Sequence, residues 1–458
     1  MLTIAEIVQA TRGRLIQGRL SANIHGVSIN SRTVKKGDLF VAIIGERFDA
    51  HAFIAQAVKK GARAVVVSKK VVCGPSVTVV RVDDTTRALG FMALHYRKKF
   101  PIPLVAVTGS AGKTTTKELI AAVLKKRYRV LKNIKTENNQ FGVPLTLLKL
   151  RKSHNIAVLE LGTNQFGDIR WLSRIARPTV CVFTNIGDSH LQGLKTRAGV
   201  FKEKFRMIQG LNRKDCVIYN KDDDYLSTIA QSKITPKKIS YGLNDNSDFR
   251  AKSIRLRQNR LTEFSVDGKR FQLKTPAKHN IYNALAAIVC GRLFKVNFSD
   301  IQKAVGQYAF GLNRQEIKKI GSLLIIDDTY NSNPVSFKSA IETLNSLELK
   351  GRKILVCADM LELGGRARSL HEDMGKLVAK SKVHLVLTMG PYARFLKDTI
   401  GRMHGRIQSY HCGSLEEIHR RLKNFCRPGD VLLVKGSRAM KMERTVAFLT
   451  KHFNPNLN

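Results

Sequence analysis

Residues 104–124 constrain this chain more than any other stretch. The apolar run Leu104 to Val107 leads into Thr108-Gly109-Ser110-Ala111-Gly112-Lys113-Thr114-Thr115, and Leu119, Ile120, Val123 and Leu124 then recur at helical spacing. Strand, glycine loop and helix in that order form a phosphate cradle: the glycines let backbone N–H groups approach phosphate oxygens. Lys113 can neutralise the β- and γ-phosphates, and the Thr114 hydroxyl can ligate Mg²⁺. The spacing departs from the generic loop, which would carry glycine at Val107. ATP binding by Gly109, Ser110, Ala111, Gly112, Lys113, Thr114 and Thr115 is the expectation.

The rest of the chain supplies a sheet for that loop. Apolar runs at Ile156 to Leu161, Val180 to Thr184 and Val217 to Tyr219 alternate with helical segments, which predicts a mostly parallel sheet. The alternation restarts at Leu323 to Ile326, with strands at Ile354 to Cys357, His384 to Thr388 and Val431 to Val434 and helices near Val335 to Leu347 and Leu370 to Ala379. That is a second α/β unit. Before the phosphate loop, short β-rich runs (Asp38 to Ile44, Ala64 to Val67, Val77 to Val82) surround a helical stretch near His51 to Lys60, and Phe100-Pro101-Ile102-Pro103 reads as a stiff linker.

Composition excludes several classes. At 458 residues and 43% hydrophobic content the chain can bury large cores. The 79 Lys+Arg against 35 Asp+Glu leave a net charge of +44, a field that attracts polyanions. The basic residues are dispersed and aromatic content is only 7%, so no interleaved platform for nucleic acid is present and no specific nucleic-acid partner is expected. No apolar run reaches membrane-span length, and Met1 to Ala10 suits an amphipathic helix better than a signal peptide. The seven cysteines are scattered without a C-x-x-C pair. Buried free thiols at Cys181 and Cys357 and a reducing cytoplasm are expected.

The shortened loop resembles that of the Mur ligases and folylpolyglutamate synthases, which join an amine to a carboxylate using ATP. Asn138-Asn139-Gln140-Phe141-Gly142-Val143-Pro144, Glu160-Leu161-Gly162-Thr163-Asn164, Thr184 to Leu191 and Lys278 to Leu285 are similar to Mur ligase central-domain motifs, in the family's order. Ser28 to Arg32 and Gly37 to Ala42 look like the family's uridine-nucleotide-binding first domain. Asp327 to Pro334, Asp359 to Gly364 with His371, and Lys435 to Met440 look like the branch that adds a D-alanyl-D-alanine dipeptide. The resemblance implies the three-domain Mur ligase architecture, an α/β fold. Residues 1–100 would form a small mixed α/β domain binding the UDP-sugar, residues 101–313 a central domain holding ATP and Mg²⁺ on a mostly parallel sheet, and residues 314–458 a Rossmann-like domain holding the dipeptide. The implied substrates are UDP-N-acetylmuramoyl-tripeptide and D-alanyl-D-alanine, joined through an acyl phosphate in the cytoplasm by a monomer. The alternatives are another Mur-type or folylpolyglutamate-type ligase, the latter needing no uridine-binding domain, and a P-loop protein binding nucleic acid.

The resemblance also assigns roles. Thr114 and Glu160 would hold Mg²⁺, His190 would assist a second metal, and Lys204 aligns with a lysine that the family carbamylates, although Arg206 stands where glutamate is usual. Asn280 suits the adenine, Arg314 the phosphates, and Asp328 the ATP ribose or a closing contact. Asn138, Asn139, Asn331, Asn333, Lys435, Ser437 and Arg438 would bind substrate, the last three through the dipeptide carboxylate. Ser31 and Arg32 would contact the uridine diphosphate. Lys135-Thr136-Glu137 stands where the family opens with Gly-Asn, and Ala358 replaces a glycine.

Overall fold

The computed structural model describes residues 2–454 apart from 47, 135, 258–259, 312, 349 and 404–405; Lys135 therefore lies outside the described residues. Among the described residues the strands form four sheets. The first hundred residues build a five-stranded mixed sheet in which Leu39–Val41, Ala64–Val67 and Thr78–Arg81 run parallel and Arg14–Gln17 closes the edge antiparallel. The N-terminal segment is helical over Ile4–Thr11, started by a capping box between Thr3 and Glu6 and burying Ile4 and Ile7.

The Phe100 to Pro103 segment has no regular structure and is fixed from the preceding helix, Thr85–Lys98. Arg97 is buried there; its Nε donates to the Ala176 carbonyl at 3.0 Å and its Nη2 to the Ile102 carbonyl at 2.8 Å. Burial lowers its pKa to about 10. The first unit is thus bonded to the second.

That second unit is a seven-stranded, wholly parallel sheet in the order Phe249–Arg250, Lys237–Gly242, Cys216–Asn220, Val180–Phe183, Leu104–Thr108, Ile156–Glu160, Val130–Lys132. Its central strands are buried along their whole length, as continuous apolar runs require when helices cover both faces. The helices Lys113–Leu124 and Asn280–Leu293 pack together on one face. A small antiparallel sheet, Lys252–Leu256, Thr262–Val266 and Lys269–Leu273, follows. The alternation of apolar runs missed it, because two of its strands expose most of their residues.

The third unit is a six-stranded sheet in the order Glu316–Ile320, Leu323–Asp328, Val431–Lys435, Lys353–Ala358, Leu385–Met389, Gln408–Cys412, antiparallel only at its first edge. All seven cysteines are free, and Cys181 and Cys357 are buried in strands. No helix among the described residues is long and apolar enough to cross a membrane.

Candidate active site

The phosphate loop sits at the carboxyl end of the central strand Leu104–Thr108, where parallel sheets form ligand sites. Its shape depends on two glycines. Gly109 has φ +155°, and a Cβ there would lie 1.9 Å from Thr184 Oγ1; Gly112 has φ +78°, in the left-handed region, and a Cβ there would meet Asn283 Oδ1 at 2.6 Å. Ala111 N donates to Asn185 Oδ1 at 2.8 Å, and Ser110 Oγ donates to the Gly187 carbonyl at 3.0 Å. The loop is therefore held by residues 184–189. Gly112 then starts the helix Lys113–Leu124, leaving unpaired N–H groups and the positive end of the helix dipole facing the loop.

Lys113 Nζ donates to the Gly109 carbonyl at 2.8 Å, and burial holds its pKa below the ordinary lysine value, opposed by Glu160. Glu160 ends the strand Ile156–Glu160 and is buried; its Oε2 accepts from Thr114 Oγ1 at 2.6 Å and its Oε1 from Asn138 Nδ2 at 2.7 Å. Asn133 braces its backbone from both sides, donating to the Glu160 carbonyl and accepting from the Glu160 N–H. Sequence reasoning passed over Asn133, an isolated polar residue outside any motif. Lys204 is fully buried and its Nζ has no partner; burial and the nearby Lys113 push its pKa well below the ordinary value. The neighbouring Glu203 does not serve it, since its Oε1 accepts from Ile169 N at 2.8 Å and its Oε2 lies 3.7 Å from Arg206 Nε.

These groups bear on Mg²⁺. Thr114 and Glu160 present hard oxygen donors beside the phosphate loop, and the burial that lowers the pKa of the unpartnered Lys204 favours the neutral amine that carbamylation needs. No cluster of three His, Cys, Asp or Glu side chains that could hold a metal occurs among the described residues. Phosphate oxygens and a modified lysine would have to complete the coordination, and the residues present fit that set.

A cavity of about 740 Å³ opens between the central and third units. Ser110 to Thr115, Asn138, Glu160, His190 and Asn280 line it from one side, and Arg314, Asp328, Tyr330, Asn331 and Asn333 from the other. Asn280 Oδ1 accepts from Asn283 Nδ2, which fixes the amide at the start of its helix. The Arg314 guanidinium stacks 3.9 Å over the Tyr330 ring, and the Tyr330 hydroxyl bonds Thr136 across the two units. Asn333 Nδ2 donates to the Ser110 carbonyl at 3.2 Å, from the third unit onto the phosphate loop itself.

Other expected site residues stand elsewhere. Lys435 is a correction: it does not present a free cation for a carboxylate. It is fully buried, pairs in register with Asp328 across adjacent parallel strands, and donates to Asp328 Oδ2 at 2.5 Å and to the Asn331 carbonyl at 3.1 Å. A buried ammonium requires such a partner. Ser437 is buried too, its Oγ accepting from Leu361 N at 2.8 Å. Arg438 is solvent-exposed and lies 3.2 Å from Glu443. None of the three lines the cavity. Asn139 is exposed, its Oδ1 accepting from Phe141 N and Gly142 N at the start of the helix Gly142–Leu147. Ser31 bonds Gln56 and Arg32 is exposed, both in the first unit and outside the cavity wall. His190 Nδ1 lies 2.6 Å from Glu362 Oε2 of the third unit, a partner that sequence reasoning did not name although Glu362 stands in a quoted motif. Burial, with Lys113 and Lys204 nearby, lowers the His190 pKa despite Glu362.

Comparison with known proteins decides the family. The models of the Mur ligase family catalytic domain, the Mur ligase middle domain and the Mur ligase glutamate ligase domain match residues 23–97, 107–291 and 313–438. The UDP-N-acetylmuramoyl-tripeptide–D-alanyl-D-alanine ligase of Bacillus subtilis (strain 168) is 35% identical over 97% of both chains. This chain belongs to the Mur ligase family. The ligase of the same description from Escherichia coli (strain K12) is 33% identical over 98% of this Mur ligase and 99% of its own length. Among solved structures, MurF from Acinetobacter baumannii superposes with a TM-score of 0.90 at 29% identity over 98% of each chain. MurF ligase from Thermotoga maritima in complex with ADP gives 0.83 at 28% identity, over 93% of this chain and 97% of that one. The three-unit α/β architecture anticipated from the sequence is the architecture of this Mur ligase.

Proposed function

We propose that this Mur ligase joins D-alanyl-D-alanine to UDP-N-acetylmuramoyl-tripeptide, forming ADP and phosphate. The observation that carries the reading is a phosphate cradle facing a third-domain wall across one cavity, in a chain alike end to end to ligases of that description. In the reaction a carboxylate oxygen of the tripeptide attacks the γ-phosphorus and ADP leaves. The dipeptide amine then attacks the acyl carbon, the C–O bond to phosphate breaks, and the nitrogen loses a proton. Two anions must meet in the first step, so catalysis here is chiefly positioning and charge neutralisation.

We assign residues 1–100 to the UDP-sugar, with Ser31 and Arg32 at the uridine diphosphate, 101–313 to ATP and 314–458 to the dipeptide. Lys113 and the loop N–H groups bind the β- and γ-phosphates, Arg314 meets them from the third domain, and Asn280 orients the adenine. Thr114 and Glu160 would hold Mg²⁺, with His190 and a carbamylated Lys204 at a second ion; bound Mg²⁺ would offset phosphate charge. Asp328, held by Lys435, faces the nucleotide. Asn138, Asn331 and Asn333 line the space where the acyl group and amine meet, and the exposed Arg438, beside Glu443, is assigned to the dipeptide carboxylate. Free buried thiols support action in the cytoplasm, and a cavity complete within one chain supports action as a monomer. Turnover of ATP across a panel of UDP-muramoyl peptides, with and without D-alanyl-D-alanine, tests the assignment. Turnover equal without the dipeptide, or stimulated by random DNA in its place, would reject it.

A further inference from the structure

The cavity exists only while the third domain stands against the central one, and two loops at its edge meet through charged and polar side chains. On the central domain Asp188 and His190 lie two residues apart; on the third domain Glu362 and Arg366 lie four residues apart. Arg366 Nη1 donates to Asp188 Oδ1 at 2.9 Å, while Glu362 Oε2 lies 2.6 Å from His190 Nδ1. The Gln192 N–H also donates to the Glu362 carbonyl at 3.0 Å. Gly364, at φ +56°, lets the loop pass close to Gln192, where a Cβ would come 3.3 Å from its Cα. Glu362 itself takes φ +65°, an uncommon backbone state for a residue with a side chain, which turns the loop back onto the central domain. Gly187 is packed so tightly beneath that a Cβ would lie 2.1 Å from Val335 Cγ2 of the third domain.

We propose that Arg366 and Asp188 form an interdomain clasp that positions the third domain over the phosphate loop, setting how often the dipeptide site is assembled. Arg366 is a positioning residue: its partner Asp188 is not part of the cavity wall, and its side chain is 52% exposed. The polarity is specific. Arg366 on the third domain faces Asp188 on the central domain, and four residues earlier Glu362 meets the His190 ring. Sliding the loops so that Glu362 met Asp188 would set like charges together, so the pair selects register as well as closure. The energetics favour a tunable contact. A half-exposed ion pair is weak, so the clasp biases an equilibrium without locking the enzyme shut, and release of product remains possible.

The kinetic consequence rests on the proposed ligase activity; the conformational one does not. Reversing one charge, Arg366→Glu, replaces attraction by repulsion. The expected result is a rise in the apparent KM for D-alanyl-D-alanine of about three- to tenfold, with the KM for ATP changed less than twofold. Small-angle scattering of the full chain without substrates should show a larger radius of gyration for this variant than for wild type. The charge-swapped double variant Asp188→Arg, Arg366→Asp should recover both the dipeptide KM and the compact scattering profile. Wild-type scattering and kinetics in Arg366→Glu would overturn the clasp. So would a loss that the swapped pair fails to recover while Arg366→Gln behaves as wild type. If wild type shows no dipeptide-dependent ligation at all, the functional reading fails and the scattering comparison alone still decides the clasp.

Discussion

Replacing Lys204 with methionine should make the protein more stable and the enzyme nearly inactive. Lys204 is a fully buried amine without a partner, and its pKa is held well below the ordinary lysine value by burial and by Lys113. In the unfolded chain the same amine titrates near 10.4. The unfolded chain therefore binds more protons at every pH between the folded and unfolded values, and stability falls as pH drops through that window. Methionine keeps the apolar stem and removes the group that titrates. The gain at pH 7 grows as the folded pKa falls and reaches a ceiling of about 4–5 kcal/mol, the cost of deprotonating an amine of ordinary pKa, if Lys204 folds neutral. The assay is thermal unfolding in carbon-dioxide-depleted buffer at pH 7 and pH 10, without nucleotide. The Met variant should exceed wild type at pH 7, and the difference should shrink at pH 10. Ligation should fall on the order of 10²-fold or more, as when one preorganised electrostatic group is lost. Lys204→Ala should be partly restored by a short carboxylic acid in solution. A Met variant less stable than wild type at pH 7, or fully active, would refute the reasoning.

Three further outcomes follow from the same geometry. Lys113→Ala should lower ligation by about 10²–10³-fold with an unchanged circular dichroism spectrum, because the proposed site sets the lost cation against the transferring phosphoryl group; near-normal turnover would place the phosphates elsewhere. Gly109→Ala should abolish ADP binding measured by calorimetry, since its Cβ would fall 1.9 Å from Thr184 Oγ1, and retained affinity would mean the loop can shift freely. Lys435→Ala should destabilise the fold by about 3–5 kcal/mol by stranding Asp328, while Lys435→Met with Asp328→Asn should cost clearly less. Equal losses in chemical denaturation would show that the pair contributes no coupling.

The sequence was most legible where one element decides its own surroundings. The strand at Leu104, the loop from Gly109 and the helix from Lys113 are a continuous segment whose periodicity and glycine spacing need no distant partner, and the structure reproduces them within a residue. Glu160 was legible as a strand end near the loop, but the Asn133 bonds that hold it come from a residue 27 positions earlier and carry no local signal. Lys435 shows the opposite failure. It was expected just beyond the strand Val431 to Val434 but is that strand's last residue, and whether its side chain points to solvent or inward depends on Asp328, 107 residues away, lying in register on the adjacent strand. The same holds for His190 and Glu362, which meet only because two domains close. The antiparallel sheet from Lys252 to Leu273 escaped notice because its edge strands are mostly exposed and lack apolar runs.

Isotope transfer tests the central claim most directly. UDP-N-acetylmuramoyl-tripeptide carrying ¹⁸O in its terminal carboxylate is incubated with the enzyme, ATP, Mg²⁺ and D-alanyl-D-alanine, and phosphate and peptide products are analysed by mass spectrometry. An acyl phosphate formed from that carboxylate predicts one ¹⁸O in each phosphate released, in step with the UDP-linked pentapeptide and dependent on the dipeptide. Phosphate without label, or labelled phosphate with no pentapeptide when the dipeptide is present, would contradict the account.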